Sequence, residues 1–273
     1  MTSLEKSVHS CLEEIQVYDC NLSKTRIGNN CDGGYIALDE ICKSSTDLLS
    51  FGIEDNVTFE LDFVTRYPHV HAHLFDHTIT NLPQDHSNFR FIKKGVGPKT
   101  THELESLADI LASAPSNLTL KMDIEWDEWK TFATLADWHY EKIDQLLIEF
   151  HLASIDTDQK FIPNLDEKYK LTPYFCNFYK SIYDKINEDL FQMYRDIFSV
   201  LNEKFYAFHI HPNNSLQKIE VGGHSFPPLL EMSFVRKDLV ENAEKSVEKY
   251  PVQGLDFPNK PYKKELKNYY PLI

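Results

Sequence analysis

Short apolar runs, separated by segments with helical spacing, dominate the first 150 residues of the chain. Five of these runs predict strands, at 48–53, 70–75, 89–93, 118–124 and 143–150. Between them, helices are predicted at 57–67, 101–114 and 127–138. Helices that alternate with short buried strands indicate an α/β fold with a doubly wound parallel sheet. Right-handed crossovers then place a ligand crevice at the carboxyl ends of the strands.

The pattern changes after His151. Apolar residues three to four positions apart predict a long helix over 172–202. Two further strands are predicted at 204–211 and 228–235, joined by a connection of the hairpin type that contains Gly and Pro. We therefore expect one domain with a seven-stranded sheet. The proline-rich C-terminal end is expected to be a surface tail.

Composition narrows the classes of function. The chain has 273 residues and a formal net charge of −14, with no dense run of Lys and Arg. A nucleic-acid binder needs a basic face, so we expect no nucleic-acid partner. No apolar run reaches the length of a membrane span, and the charged N-terminus is unlike a secretory signal. Five cysteines without a CxxC pair favour reduced thiols, so we expect a soluble cytoplasmic protein.

The ends of the first two predicted strands carry residues suited to a nucleoside ligand. Gly52 and Glu54 follow the first strand, and a glycine there lets a ligand approach the backbone. Asp76 and His77 follow the second strand, where an acid commonly accepts hydrogen bonds from a ribose. A single Gly or Asp is common in any loop, so neither residue alone indicates a nucleoside site. Together, at the ends of successive strands, they favour one.

Carboxylates and imidazoles follow the remaining strands. They are Asp123 and Glu125 on the fourth strand, Glu149 and His151 on the fifth, His209 and His211 on the sixth and Glu231 on the seventh. If these strands are neighbours, the side chains converge at one edge of the sheet. Such a set suits general-base catalysis on a hydroxyl or a divalent metal ion. The alternative is that the acids only cap the helices that follow.

Seven ordered segments, spread over residues 20 to 240, resemble the FkbM-like, methyltransferase-like group of class I S-adenosylmethionine (SAM) enzymes. They are RIGNNCDGGYIALD (26–39), SFGIEDNVTFELDF (50–63), FDHTI (75–79), LKMDIEWDEW (120–129), LLIEFH (146–151), HIHPNN (209–214) and LLEMSFVRKD (229–238). One departure from the pattern is Trp126, where many relatives have Gly. A Trp at that position would narrow the pocket or offer a face on which a sugar could stack.

The resemblance implies a Rossmann-like sheet whose last strand runs antiparallel, within a single domain over 1–273. Residues 1–47 would fold over the cofactor, and 153–203 would be a helical insertion on the substrate side. The cofactor-binding residues that it implies are Arg26, Asp32, Gly33, Gly34, Gly52, Glu54, Asp76, His77, Gly95 and Val96. A tight hairpin turn explains the glycines of the DGGY motif equally well.

The resemblance also implies a SAM-dependent O-methyltransferase that acts on a hydroxyl of a sugar or glycoconjugate. A hydroxyl is a weak nucleophile, so either a base or a metal is required. The candidate catalytic residues are Asp123, Glu125, Glu149, His151 and His211, of which Asp123, Glu149, His151 and His211 could also hold Mn²⁺, Mg²⁺ or Zn²⁺. Two alternatives stay open. The acceptor could be a small molecule or a protein side chain, or the chain could be a non-catalytic scaffold of the same fold.

Overall fold

A seven-stranded sheet forms the centre of the protein. A computed structural model describes residues 1–152, 187–267 and 269–272. The strands are β1 (Asp47–Phe51), β2 (His71–Phe75), β3 (Phe89–Ile92), β4 (Leu118–Met122), β5 (Ile143–His151), β6 (Phe205–Pro212) and β7 (Leu229–Arg236). Their order across the sheet is β6-β7-β5-β4-β1-β2-β3. All seven predicted strands are present, with ends that differ from the prediction by no more than two residues.

Strand direction confirms the predicted fold class. The pairs β1–β2, β2–β3, β1–β4 and β4–β5 are parallel, and β7 runs antiparallel to both β5 and β6. This is the α/β sheet with an antiparallel last strand that a class I methyltransferase has. The order of the strands reverses between β1 and β4. In open α/β sheets such a reversal marks the crevice in which ligands bind, outside the carboxyl ends of the strands.

Helices cover the sheet on its two faces. They are α1 (Ser3–Glu13), α2 (Asp39–Ser44), α3 (Thr58–Arg66), α4 (Leu107–Ser113), α5 (Glu128–Phe132), α6 (Asp137–Tyr140) and α7 (Glu188–Lys204), with a 3₁₀ turn at Lys237–Leu239. Two buried apolar clusters, one on each face of the sheet, result from this layering. One contains Phe198 of α7, and the other contains Phe63 of α3.

Two predicted helices are shorter than their sequence pattern indicated. The segment 101–114 begins with a strand, Leu104–Ser106, which pairs with Gly95–Gly97. Ser106 then accepts a hydrogen bond from the Asp109 amide and caps α4, so the helix begins only at Leu107. The segment 127–138 divides into α5 and α6. Of the predicted helix at 172–202, residues 172–186 lie outside the described residues, and α7 accounts for the rest.

An N-terminal hairpin lies against the face of β5 and β7. Its strands are Lys24–Ile27 and Tyr35–Leu38. Ser233 of β7 donates to the Ile36 carbonyl at 2.6 Å, and Gln145 of β5 accepts from the Leu38 amide at 3.1 Å. These bonds to β5 and β7 fix the hairpin, and with it the DGGY turn that connects its strands, against the sheet.

The remaining short elements are peripheral. Two pairs of short strands lie outside the main sheet, Tyr18–Asp19 with Glu244–Lys245 and Ile219–Val221 with His224–Phe226. Among the described residues, no helix is both long enough and apolar enough to cross a bilayer. The four described cysteines are free thiols.

The C-terminal end is not the surface tail that its prolines predicted. Leu266, Tyr269 and Leu272 are buried in the main apolar cluster. Tyr269 donates its hydroxyl proton to the Ile210 carbonyl of β6 at 3.2 Å. Aromatic side chains in this segment supply enough apolar area to hold it against the protein, although proline prevents regular secondary structure.

We predict that this anchoring contributes strongly to stability. Tyr269→Ala should lower the free energy of unfolding by roughly 3 kcal/mol, because it leaves a cavity where a buried ring was. Tyr269→Phe removes only the hydrogen bond and should cost about 1 kcal/mol. Tyr262 is 82% exposed, so Tyr262→Ala is the matched control and should change little. Equal effects of the two alanine substitutions in urea denaturation would mean that the tail does not pack.

Candidate functional site

Four polar side chains form a row across the carboxyl edge of the sheet. In the strand register, Glu149 of β5 faces Glu231 of β7, and Glu231 faces His211 of β6. Asp123 directly follows β4, on the other side of β5. Directly opposed residues in neighbouring strands project from the same face of a sheet. We name Asp123, Glu149, Glu231 and His211 the carboxyl-edge row.

Burial of like charges dominates the electrostatics of this row. Desolvation raises the pKa of Glu149 well above its usual value, and the charge of Asp123 raises it further. Desolvation and then Glu125 raise the pKa of Asp123 to about 7. Asn213 donates to both carboxylate oxygens of Glu149, at 3.2 and 3.3 Å. Asp123 is therefore a carboxyl group of the row that can exchange a proton near neutral pH.

His151 connects the row to two further acids. Its Nε2 lies 3.3 Å from Glu125, and its Nδ1 lies 3.2 Å from Glu128. One ligand atom from each of Asp123, Glu125 and His151 lies within 4.8 Å of the other two. Although burial lowers it, the charges of Glu128 and Glu125 hold the pKa of His151 well above its usual value. The structure thus brings together three of the five predicted catalytic residues, with Glu149 adjacent.

His211 lies at the far end of the row. Three interstrand spacings separate its position from that of Asp123, which corresponds to roughly 14 Å. Its Nδ1 lies 3.1 Å from Glu231, and its Nε2 lies 3.6 Å from Glu265. Burial lowers the pKa of His211, but these two carboxylates raise it to about 10. The structure does not bring His211 to the group around His151, although the sequence prediction put both in one metal site.

Asp76 organises the loop after β1. One of its oxygens accepts from the amides of Ile53 and Glu54, and the other accepts from the amide and hydroxyl of Thr78. Burial opposes ionisation, but these bonds hold the pKa of Asp76 below its usual value. The four bonds occupy both lone pairs of each oxygen. Its predicted bond to a ribose stays a prediction, and would require Asp76 to exchange one of these partners.

Glu54 stands at the exposed rim of the crevice, in a left-handed backbone conformation. Desolvation raises the pKa of its carboxyl group, and neighbouring negative charges raise it further. Those charges belong to Glu125, Asp76, Asp55 and Asp32. We define Glu54 with these four residues as the acidic rim, which concentrates negative charge at this end of the crevice.

The predicted glycines serve close packing within the chain. A Cβ on Gly52, whose φ is +73°, would collide with the Asp123 carbonyl oxygen, so this glycine lets β1 and β4 approach at the switch point. A Cβ on Gly33 would meet Asn56, and one on Gly95 would meet His77. Val96 is buried beside Gly95. Which of these positions contacts a ligand stays a prediction.

Arg26 fixes the turn between the hairpin strands. Its guanidinium donates to the carbonyls of Asn29, Cys31 and Leu255 at 2.7 to 3.0 Å. A Cβ on Gly34 would collide with the same guanidinium. Asp32, at the tip of the turn, pairs with Lys260 of the C-terminal segment. Arg26 thus stabilises the turn that carries Asp32, a member of the acidic rim.

Sequence reasoning missed three partners of the row. Lys121 is buried in β4, and its ammonium donates to the Gly52 carbonyl at 2.6 Å. Glu128 is fully buried against His151, and Asn213 holds Glu149. A signal for Lys121 was present, since a charge within an apolar strand needs a reason. Glu128 resembled an ordinary first-turn acid of a helix, and nothing in the sequence indicated its burial.

Comparison with known proteins adds little to this picture. No protein-family model matches the chain, and no curated protein matches it. One similar solved structure is a proposed rRNA-methylase from Clostridium thermocellum, with 9% sequence identity and a TM-score of 0.33. The similarity covers 72% of this chain and 92% of that one. With so low a score we base no conclusion on it, and the fold assignment rests on strand order and direction.

We predict that Glu149 costs the protein stability at high pH. Its folded pKa is raised, so the folded state binds the proton more tightly than the unfolded state. The free energy of unfolding should therefore fall as the pH rises above about 4.5 and through the folded pKa. Glu149→Gln, which removes the ionisable group, should therefore make the protein more stable than wild type at pH 8.

Denaturant unfolding of the wild type and the variant at pH 5 and pH 8, in a buffer that contains a chelator, measures this difference in stability. The advantage of Glu149→Gln should shrink at pH 5. Glu220 is exposed on a short peripheral strand, so Glu220→Gln, with the same change of charge, is the control and should show no such advantage. A Glu149→Gln variant that is less stable than wild type at pH 8 would contradict the burial of an ionised carboxylate.

Proposed function

We propose that the chain is a SAM-dependent O-methyltransferase that acts on a hydroxyl of a sugar or glycoconjugate. The observation that carries the proposal is the carboxyl-edge row. Its buried carboxyl groups line the edge at which this sheet topology binds ligands, beside the switch point between β1 and β4. Acids placed there without a ligand to serve would only reduce stability.

The acidic rim fits the charge of SAM. The cofactor carries a positive sulfonium, and Glu54 stands among four other carboxylates that would favour a cation. Glu54 and Asp32 would attract the positive groups of the cofactor. Asp76 would position the loop that presents Glu54, through its bonds to the amides of that loop. Gly52 would keep β1 and β4 close at the same place.

The chain itself must manage the proton of the acceptor. When bound, SAM supplies a methyl group on a sulfonium, which needs no further activation. A hydroxyl must lose its proton as the new bond forms, and Glu149 is the residue that we assign as the base. Its raised pKa gives its carboxylate a high proton affinity, and Asn213 orients both of its oxygens. Asp123 and His151, next to it, would bind and orient the acceptor oxygen.

The acceptor class rests on the family resemblance. Trp126 is 3% exposed, with its ring centroid 5.6 Å from that of His151. Trp126 therefore narrows the site, and it offers little open face for stacking. We do not propose rRNA, which the name of the similar structure gives, as the acceptor. The net charge of −14 disfavours binding to a phosphate backbone. A small-molecule or protein hydroxyl remains the second candidate acceptor.

A transfer assay with methyl-labelled SAM tests the proposal, using sugars, glycoconjugates, small alcohols, protein and RNA as acceptors. We expect label in the carbohydrate fraction. Glu149→Gln should reduce the rate by about 10²- to 10⁴-fold, the usual contribution of a positioned base. Glu220→Gln should retain the wild-type rate.

Three results would contradict the proposed function in different ways. Label in RNA alone would overturn the acceptor. An unchanged rate in Glu149→Gln would remove Glu149 as the base. Absence of SAM binding to the folded protein would overturn the methyltransferase itself and favour the scaffold.

A further inference from the structure

We propose that Asp123, Glu125 and His151 form a binding site for a single divalent first-row transition-metal ion. The side chains approach from two neighbouring strands, the first two residues from the segment after β4 and the third from the last position of β5. We name these three residues the edge triad. The inference refines the sequence prediction, because it replaces Glu149 and His211 by Glu125.

The geometry of the edge triad suits one ion. Its three ligand atoms lie within 4.8 Å of one another, and Glu125 Oε2 lies 3.3 Å from His151 Nε2. Metal–ligand bonds of about 2.0–2.2 Å place neighbouring ligand atoms roughly 3–4 Å apart around an ion. The separations of up to 4.8 Å therefore exceed the upper end of this spacing by roughly 1 Å at most.

Glu128 provides an independent second observation. It is fully buried, and one of its oxygens accepts from the Ile124 amide at 3.0 Å and lies 3.2 Å from His151 Nδ1. Its other oxygen, Oε2, is buried without a hydrogen-bond partner among the described residues. A ligating histidine typically donates its second ring proton to a carboxylate, which fixes the ring and leaves Nε2 for the metal. Glu128 occupies that position and acts as a positioning residue.

The donor set indicates the class of ion. One imidazole and two carboxylates suit Mn²⁺, Fe²⁺ or Zn²⁺, whereas Ca²⁺ prefers a shell of oxygens alone. The ion would also offset the negative charge that Asp123 and Glu125 concentrate at the site. Its use in catalysis, to lower the pKa of an acceptor hydroxyl, rests on the proposed function, but its binding does not.

Titration of the full-length, chelator-treated protein with Mn²⁺ alone tests the site, with free Mn²⁺ measured by electron paramagnetic resonance. We expect saturable binding of one ion. Asp123→Asn and His151→Gln should each weaken binding by at least about tenfold, since each removes a ligand. Glu128→Gln should weaken it by about 10- to 100-fold although it would not touch the ion. Glu220→Gln should bind as wild type does.

A measurement on the wild-type protein avoids variants that fail to fold. Bound Mn²⁺ should broaden the indole NMR signal of Trp126, which contacts His151. Trp138 precedes β5, and His151 ends it, so about 26 Å of strand separates them and the Trp138 signal should broaden far less. Equal broadening of the two signals, or no saturable binding, would overturn the inference.

The outcomes separate this inference from the proposed function. Specific Mn²⁺ binding without methyl transfer to any acceptor would support the edge triad and contradict the transferase. Methyl transfer at the full rate in chelator, by a protein that binds no Mn²⁺, would support the transferase and contradict the edge triad.

Discussion

The confinement of like charges at one edge of the sheet is the constraint on which the rest of this structure depends. Asp123, which follows β4, lies beside Glu149 of β5, and Glu149 lies opposite Glu231 of β7. The register of the backbone fixes these three positions next to one another. Burial raises the pKa of Asp123 and of Glu149, so the folded protein favours protons or other cations at this edge. The concentration of negative charge at this edge follows from the strand order and register.

The segments at the two ends of the chain complete this edge. The N-terminal hairpin brings Tyr35 beside the row, where burial and then the charge of Asp123 raise the pKa of its hydroxyl. The C-terminal segment brings Asn259 to Glu231, and Lys260 to Asp32 in the hairpin. These bonds couple the termini to the row, so the crevice is bounded by segments more than 200 residues apart in sequence.

The sheet could be predicted because buried strands leave short apolar runs, such as residues 146–148 of β5, a strand in which all nine residues are buried. The position of the strand-end acids could also be predicted, because the carboxyl ends of parallel strands meet at one edge of the sheet. Local sequence patterns do not give the order of the strands, and that order separates His211 from Asp123 by β7 and β5. The contact of Glu128 with His151 and the anchoring of Tyr269 join segments that are distant in sequence, and local patterns do not encode such contacts.

A crystal structure of the protein with S-adenosylhomocysteine, the product of methyl transfer from SAM, would test the central claim most directly. We expect density at the carboxyl edge, between the loop at 52–54 and Asp123, with the amino group of the ligand near the acidic rim. Density at another place on the protein, or a carboxyl edge without ligand at saturating concentration, would contradict it.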